Sequence, residues 1–361
     1  MKDDLLTAVM PTRNRVHCVV SQLRLFAAAN FRYPLVVADS SDAADVIGVW
    51  SAVRERAEYR SFAAETPFYD KLANVIAEVK SPFVLLVPDK KITCPHAVDI
   101  ALEHLQKHQD HVATLGYVLG FGLHRYKIDF NRVVFYTPTI GEEDPLQRHY
   151  HLMRRYQVSL WAVFRREALA TAIAQAQSVE GAMFQEIMFM NALVLQGKLC
   201  RLPVIFGLQG PERSLTPANR ADPLYWFLDD SESFFQHYAR YRHALAKFIA
   251  GLDTVPPTKK ANLAQVIDVI HGVWLNSSFD HGILNYTAQR LLGAPLPPLG
   301  DRPQPLGWRP VAPQDVVDEG EGTRTYIWRD TVLNAEPKDE IRITAEEREC
   351  VQRELDAYYA E

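Results

Sequence analysis

Three short apolar runs, Leu5 to Met10, Pro34 to Ala38 and Pro82 to Val87, each stop abruptly at a polar cluster. The clusters are Pro11-Thr12-Arg13-Asn14-Arg15, Asp39-Ser40-Ser41-Asp42 and Pro88-Asp89-Lys90-Lys91. Helical periodicity fills the spaces between. Val16 to Ala29 places Val19, Leu23, Phe26 and Ala27 on one face, and further helices read from Asp42 to Arg56, Tyr69 to Val79 and Pro95 to His108. A short strand falls near Tyr59 to Phe62. Continuous apolar strands alternating with helices require cover on both sheet faces. The expected fold is therefore α/β, with a mostly parallel central sheet and helices on both faces. Ligands of such sheets bind beyond the carboxyl ends of the strands, so the three clusters are expected to converge on one crevice.

Past His111 the pattern becomes antiparallel, with Val112 to Leu123 and Arg132 to Thr137 resembling paired strands. Gly141 to His151 reads as a polar, charged loop. Leu160 to Phe164 leads into a helix from Arg166 to Ala176. A helix from Phe184 to Gln196 ends at Gly197, a residue suited to the position after a helix. Leu202 to Leu208 is a strand. Beyond Ala221 the composition turns helical, over Tyr225 to Ala250, Leu263 to Val273 and Asp280 to Leu292. A proline-rich extended segment follows from Pro295 to Pro313, and then a charged helix opened by Thr344 with Glu347 at capping-box spacing. The expected organisation is an α/β unit over 1–219, a mainly helical region over 220–294, and an extended segment with a terminal helix over 295–361.

Several classes are excluded. The 39 basic and 44 acidic side chains leave a net charge of −5, which argues against a dedicated nucleic-acid binder. The longest apolar stretch, near Tyr117 to Leu123, is far short of the roughly 18 residues of a membrane span. No secretory signal opens the chain, so a cytoplasmic location is expected. Cys18, Cys94, Cys200 and Cys350 form no C-x-x-C pair, which indicates neither a disulfide framework nor a structural zinc site. His104 and His108 have a zinc-like i, i+4 spacing but lack the glutamate of H-E-x-x-H and an evident third ligand; they read as exposed helix histidines.

The run Ala8-Val9-Met10-Pro11-Thr12-Arg13-Asn14-Arg15 resembles the opening V-I-P-T-x-N-R of GT-A fold, family-2-like glycosyltransferases of bacteria. Val36-Val37-Ala38-Asp39-Ser40-Ser41 resembles their V-V-D-x-S strand, and Leu85 to Lys91 falls where they carry a D-x-D strand end. Phe184-Gln185-Glu186, ahead of Gly197, resembles their E-D…G helix. The resemblance covers about residues 5 to 210. It implies a GT-A fold and transfer of a sugar from a nucleotide-diphospho-sugar to a carbohydrate acceptor, in surface polysaccharide synthesis. The helical C-terminal region would then close over the acceptor or mediate self-association as a homo-oligomer.

Each motif also has a direct chemical reading. Pro11 and Thr12 shape the first loop, whose entry into a helix offers backbone N–H groups to a diphosphate, with Arg13 and Arg15 as cationic partners. Asp39, with Ser40 beside it, accepts hydrogen bonds from a base or ribose, while Asp42 caps the next helix. The resemblance places Lys71 near the base. Asp89 keeps the first carboxylate of D-x-D, which the family turns toward ribose or sugar hydroxyls. Lys91 stands where the family has its metal-binding carboxylate. An ammonium cannot ligate a cation, yet it can replace one by stabilising charge on the leaving group. Two readings follow, an inverting, metal-independent enzyme that requires no cofactor, or a degenerate GT-A protein that binds nucleotide or glycan without turnover. Manganese or magnesium is the less favoured alternative. Glu186 matches the catalytic base, and Phe184, Ile187 and Met188 would raise its pKa. The resemblance places His149, His151 and Tyr156 where acceptor loops lie in that family. A nucleotidyltransferase is disfavoured because no glycine-rich phosphate loop follows the first strand.

Overall fold

The computed structural model describes residues 4–42, 57–124, 127–135, 138–154, 156–210, 223–278, 293, 325–328 and 343–359. Four strands, β1 (Leu6–Thr12), β2 (Leu35–Asp39), β3 (Glu58–Ser61) and β4 (Phe83–Leu86), lie parallel in the order β3-β2-β1-β4. The alternation of apolar strand and helix is thus realised as expected. β6 (His111–His124) joins this block through the short antiparallel β8 (Val163–Arg165), which pairs with both β4 and β6. β9 (Lys198–Gln209) runs parallel along the opposite side of β6 and carries β5 (Ile92–Thr93) antiparallel on its far edge. β7 (Lys127–Phe135) folds back on β6 as the expected antiparallel pair, and β10 (Thr325–Trp328) adds parallel to β7.

Both faces of the sheet are apolar, and alternate residues feed two separate cores. Val9, Val36, Val84 and Leu86 pack under α2 (Phe68–Glu78), α5 (Arg166–Gln177) and α6 (Ala182–Gln196). Ala8, Met10, Val37 and Leu85 face the other core, beneath α1 (Val16–Ala28), α3 (Pro95–Lys107) and α11 (Ala345–Tyr358). Period-two side-chain alternation is what lets one strand serve two layers. Thr344 caps α11 as expected, its Oγ1 accepting from the Glu347 N–H at 3.1 Å.

The structure differs from the sequence expectation in three places. Residues 141–151 are largely helical: α4 spans Pro145–Arg154. Asp144 Oδ1 accepts from the N–H groups of Leu146 (2.8 Å) and Gln147, and Pro145 occupies the first turn, where its missing N–H costs nothing. The single helix expected over 225–250 is two, α7 (Pro223–Asp229) and α8 (Ser231–Ala250). They break at Asp230, whose carboxylate accepts from Ser233 N–H. Gly197 is not left-handed; its φ is −174°, open to any residue. Glycine is needed there because a Cβ would lie 2.5 Å from Val112 Cγ1 and 2.8 Å from the Asp110 carbonyl oxygen.

Two further helices, α9 (Pro257–Lys260) and α10 (Leu263–Ser278), follow. Phe184 of α6 packs its ring on Trp226, Phe234, Tyr238 and Tyr241, which fastens α7 and α8 to the sheet-covering layer. The expected helices at 42–56 and 280–292, the proline-rich 295–313 and the boundary near Asn219 lie outside the described residues, save that Asp42 and Gly293 border them. Among the described residues no helix is long and apolar enough to cross a membrane.

Candidate functional site

The ends of β1, β2 and β4 meet as the topology requires. Pro11 is buried within β1 opposite Ala38, and Thr12 at the strand end is 4% exposed. Asn14 sits at φ 56°, a left-handed turn that asparagine tolerates. Its N–H donates to Ser41 Oγ at 2.8 Å, and its side chain exchanges two hydrogen bonds with Asp42. Arg13 reaches outward to pair with Asp42 at 2.9 Å on the exposed rim. The Asp42 carboxylate accepts from Arg13 and Asn14, and the helix it was expected to cap lies outside the described residues.

Asp39 is buried, and its Oδ1 accepts from both the N–H (2.8 Å) and the hydroxyl (2.6 Å) of Ser41. Its Oδ2 accepts from the Tyr59 hydroxyl at 3.0 Å. Burial, with the adjacent carboxylate, pushes the Tyr59 phenol up to about 12, so it remains a donor. A carboxylate offers about four acceptor positions, which leaves one for a ligand. Lys71 lies beneath this loop pair. Its ammonium donates to the Thr12 carbonyl and to Ser40 Oγ, both at 2.9 Å. Burial lowers its pKa to about 8, opposed by the charges of Asp39 and Asp89. Lys71 is therefore an internal brace between the first two strand ends.

Asp89 follows β4 and is held from both sides. Thr12 Oγ1 donates to its Oδ2 at 3.2 Å, and the Arg15 guanidinium pairs with its Oδ1 at 3.1 Å. Lys90 and Lys91 come next. Lys91 is 5% exposed, and burial takes its pKa down to about 7, with the Lys90 charge adding and the Glu186 charge opposing. One carboxylate already bound to a guanidinium, flanked by two ammonium groups, is not a donor set for a divalent cation, which takes several oxygen ligands. The strand end does not fit the metal of a D-x-D site.

Glu186 stands in the first turns of α6, half-buried, facing this strand end. Gly181 begins the helix at φ 84°, a conformation open to glycine, against the Trp226 ring. Burial raises the Glu186 pKa above the usual carboxylate value, while the Tyr156 hydroxyl, donating to Oε1 at 3.1 Å, and the Lys91 charge restrain the rise. Tyr69 of α2 lies beside the same carboxylate, its phenol driven well up by burial and by the Glu186 charge. Sequence reading found Glu186, Lys91 and Tyr156 but missed Tyr59 and Tyr69, whose carboxylates Asp39 and Glu186 lie far from them in the chain.

One expected acceptor residue is closed off. His149 is fully buried in α4, with Nδ1 against Asn191 Oδ1. Asn191 also donates to Tyr241, whose hydroxyl meets His271 Nε2 at 3.1 Å. Burial lowers the His149 pKa to about 4, so it is a neutral member of an interior polar network and cannot touch an acceptor. His151 pairs with Glu142 at the helix surface. Arg148, next to His149 in α4, caps the carbonyl end of α6 through Val194 and Leu195. The His104 and His108 reading also needs correction: His111 supplies a third imidazole, its Nδ1 2.9 Å from His104 Nε2. That cluster lies at the far end of α3, away from the crevice.

No protein-family model matches the chain, and no curated protein is similar to it in sequence. Solved structures do match. TarS 1-349 of S. aureus in complex with UDP-GlcNAc is 13% identical, with a TM-score of 0.50 over 76% of this chain and 73% of that one. A longer TarS structure scores 0.47 at 12% identity over 74% of this chain but only 43% of its own length. The mannosyltransferase PcManGT from Pyrobaculum calidifontis, in complex with GDP-Man and Mn2+, scores 0.44 at 11% identity, covering 80% and 75%. At these identities the likeness shows the fold, and the fold is that of the GT-A glycosyltransferases.

Proposed function

We propose that this chain transfers a sugar from a nucleotide-diphospho-sugar to a hydroxyl of a carbohydrate acceptor. The observation that carries the reading is the juxtaposition of Lys91 and Glu186 at the strand-end crevice, with Tyr156 on the carboxylate. The nucleotide enters over β1 and β2. Asp39 takes a base or ribose donor on its remaining acceptor position, in a loop pair braced by Lys71. The N–H groups at the start of α1 face the diphosphate.

In the transfer itself Glu186 accepts the proton of the acceptor hydroxyl as its oxygen attacks the anomeric carbon from the face opposite the leaving group. The bond from that carbon to the diphosphate oxygen breaks, the electron pair leaves with the nucleoside diphosphate, and configuration inverts. Lys91 stabilises the charge growing on that oxygen, which makes the reaction independent of metal. Two of the neighbours named above are in complex with nucleotide sugars, UDP-GlcNAc and GDP-Man, which supports the donor class. We assign the product to surface polysaccharide synthesis on the strength of the sequence motifs alone.

A second reading rests on the Arg15–Asp89 pair. Asp89, the carboxylate expected to meet donor hydroxyls, already has both oxygens engaged. A protein that binds nucleotide without turnover would show this. The two readings separate when purified protein is incubated with UDP- and GDP-sugars in EDTA, with and without oligosaccharide acceptors. Release of nucleoside diphosphate supports transfer. Nucleotide binding with no release under any metal condition supports the binding protein.

A further inference from the structure

Although the sequence holds no C-x-x-C pair, the fold gathers two cysteines, a histidine and a glutamate on the side of the sheet covered by α11. Cys94 is the N-terminal cap of α3 and is fully buried; His96 follows in the first turn. Cys350 and Glu354 are one turn apart on α11, on the same face. One donor atom each from Cys94, His96 and Glu354 lies within 4.8 Å of the others, and Cys350 Sγ is 4.0 Å from Glu354 Oε1. Glu354 is 5% exposed. Its Oε1 accepts from the His96 N–H at 3.2 Å and faces His96 Nδ1 at 2.9 Å. Its Oε2 and His96 Nε2 are buried with no hydrogen-bond partner. Unsatisfied buried polar atoms are costly and rare, and two in one cluster call for a specific cause.

We propose that Cys94, His96, Cys350 and Glu354 bind a divalent metal ion of the zinc class. Two sulfurs, an imidazole and a carboxylate form a donor set for a borderline-soft tetrahedral ion, not for magnesium or calcium. Tetrahedral bonds of zinc length put neighbouring donors about 3.3–3.8 Å apart, so the Cys94, His96 and Glu354 atoms, within 4.8 Å of one another, and Cys350 Sγ, 4.0 Å from Glu354, close on an ion by side-chain shifts. On binding, each thiol loses its proton to solvent, and the His96–Glu354 contact is exchanged for bonds to the ion. The ion would pin α11 to the turn after β5, three residues beyond Lys91. It is separate from the crevice and takes no part in the transfer proposed above.

The test uses the full chain, purified in TCEP, stripped with a chelator and titrated with Zn2+ by calorimetry and with Co2+ by absorption. The expected result is one ion per chain, thiolate-to-cobalt charge-transfer bands with tetrahedral d–d bands, a higher Tm with zinc, and slower alkylation of the half-exposed Cys350. Cys350→Ser and His96→Ala should each weaken binding about tenfold or more. The double variant His104→Ala/His108→Ala, which dismantles the three-imidazole cluster, should leave affinity unchanged. Absence of a stoichiometric ion, a cobalt spectrum without thiolate bands, or loss of binding only in the His104/His108 variant would each overturn the assignment.

Discussion

Arg15 and Asp89 form an ion pair at 3.1 Å, with side chains 11% and 14% exposed, and so join the start of α1 to the end of β4. A pair this sheltered escapes most solvent screening, and it fixes the direction in which the Asp89 carboxylate points. A double-mutant cycle of Arg15→Gln and Asp89→Asn, read by urea unfolding, should return a coupling of about 1.5–3 kcal/mol. That coupling should change little between low and high salt. A coupling near zero would show that the two groups hold no structural bond worth keeping when nucleotide enters.

Glu186→Gln should lower turnover about a hundred- to ten-thousand-fold while nucleotide affinity holds, because the amide keeps the shape and cannot take the proton. Glu180, the nearest alternative carboxylate by sequence, is exposed and paired with Arg240, which removes it as a base. Tyr156→Phe tests the same carboxylate more finely. The tyrosine hydrogen bond favours the ionised form, so its loss should move the acid limb of the kcat/KM profile to higher pH. A limb that stays in place would take Glu186 out of the proton transfer.

Lys91→Ala should lose rate more than affinity, since charge on the leaving diphosphate grows toward the transition state. Activity should survive EDTA. Because Lys91 titrates near 7, its charge disappears as pH rises through that value, and the alkaline limb of activity should fall there. Lys91→Arg keeps the charge at higher pH and should move that limb upward. Full dependence on added metal, or unchanged turnover in Lys91→Ala, would remove the lysine from the mechanism.

Lys71 predicts an unusual pH response of stability. Its folded-state pKa of about 8 lies below the ordinary lysine value of 10.5. Between those values the unfolded chain binds more protons, so this group makes stability rise as pH increases from about 8 to 10. Lys71→Met should flatten that part of the curve in thermal melts, relative to the parent. An identical slope would mean that the buried ammonium is neutralised in some other way.

Gly181→Ala should destabilise the chain by roughly 1–2 kcal/mol from its left-handed backbone alone. The new Cβ would also meet Trp226 at 2.9 Å. Since α6 starts at this residue, the loss should appear as a raised KM for acceptor along with a lower urea midpoint. A variant as stable as the parent would show that the α6 start relaxes freely.

The parallel block and its strand-end clusters were legible in the sequence because buried strands and polar stops leave local signals. Asp39, Asp89 and Lys91 lie at those strand ends, whereas Lys71 and Glu186 stand on α2 and α6, where only the family resemblance pointed. The α4 helix was not legible. Arg148 and His149 look like loop residues, and their partners Val194 and Asn191 lie 46 and 42 positions away. Polar groups satisfied by distant partners carry no local signature. The same reason hides Tyr59 behind Asp39, and hid the cysteine cluster behind a search for C-x-x-C spacing. β10 leaves only four residues of pattern, too few to separate from an extended segment.

The packing of α11 on α1 and α3 has a consequence for biosynthesis. His96 and Glu354 are 258 residues apart in the chain. At translation rates of about 5–20 residues per second, the face of α3 waits on the order of 10–50 s for its cover. The early strands can pair during that time, but Cys94 and His96 stay open to solvent and to other nascent chains. The side of the sheet first made is the side last closed, so a holding chaperone has most to protect at the start of synthesis, and a pause in translation late in the message would be most damaging there.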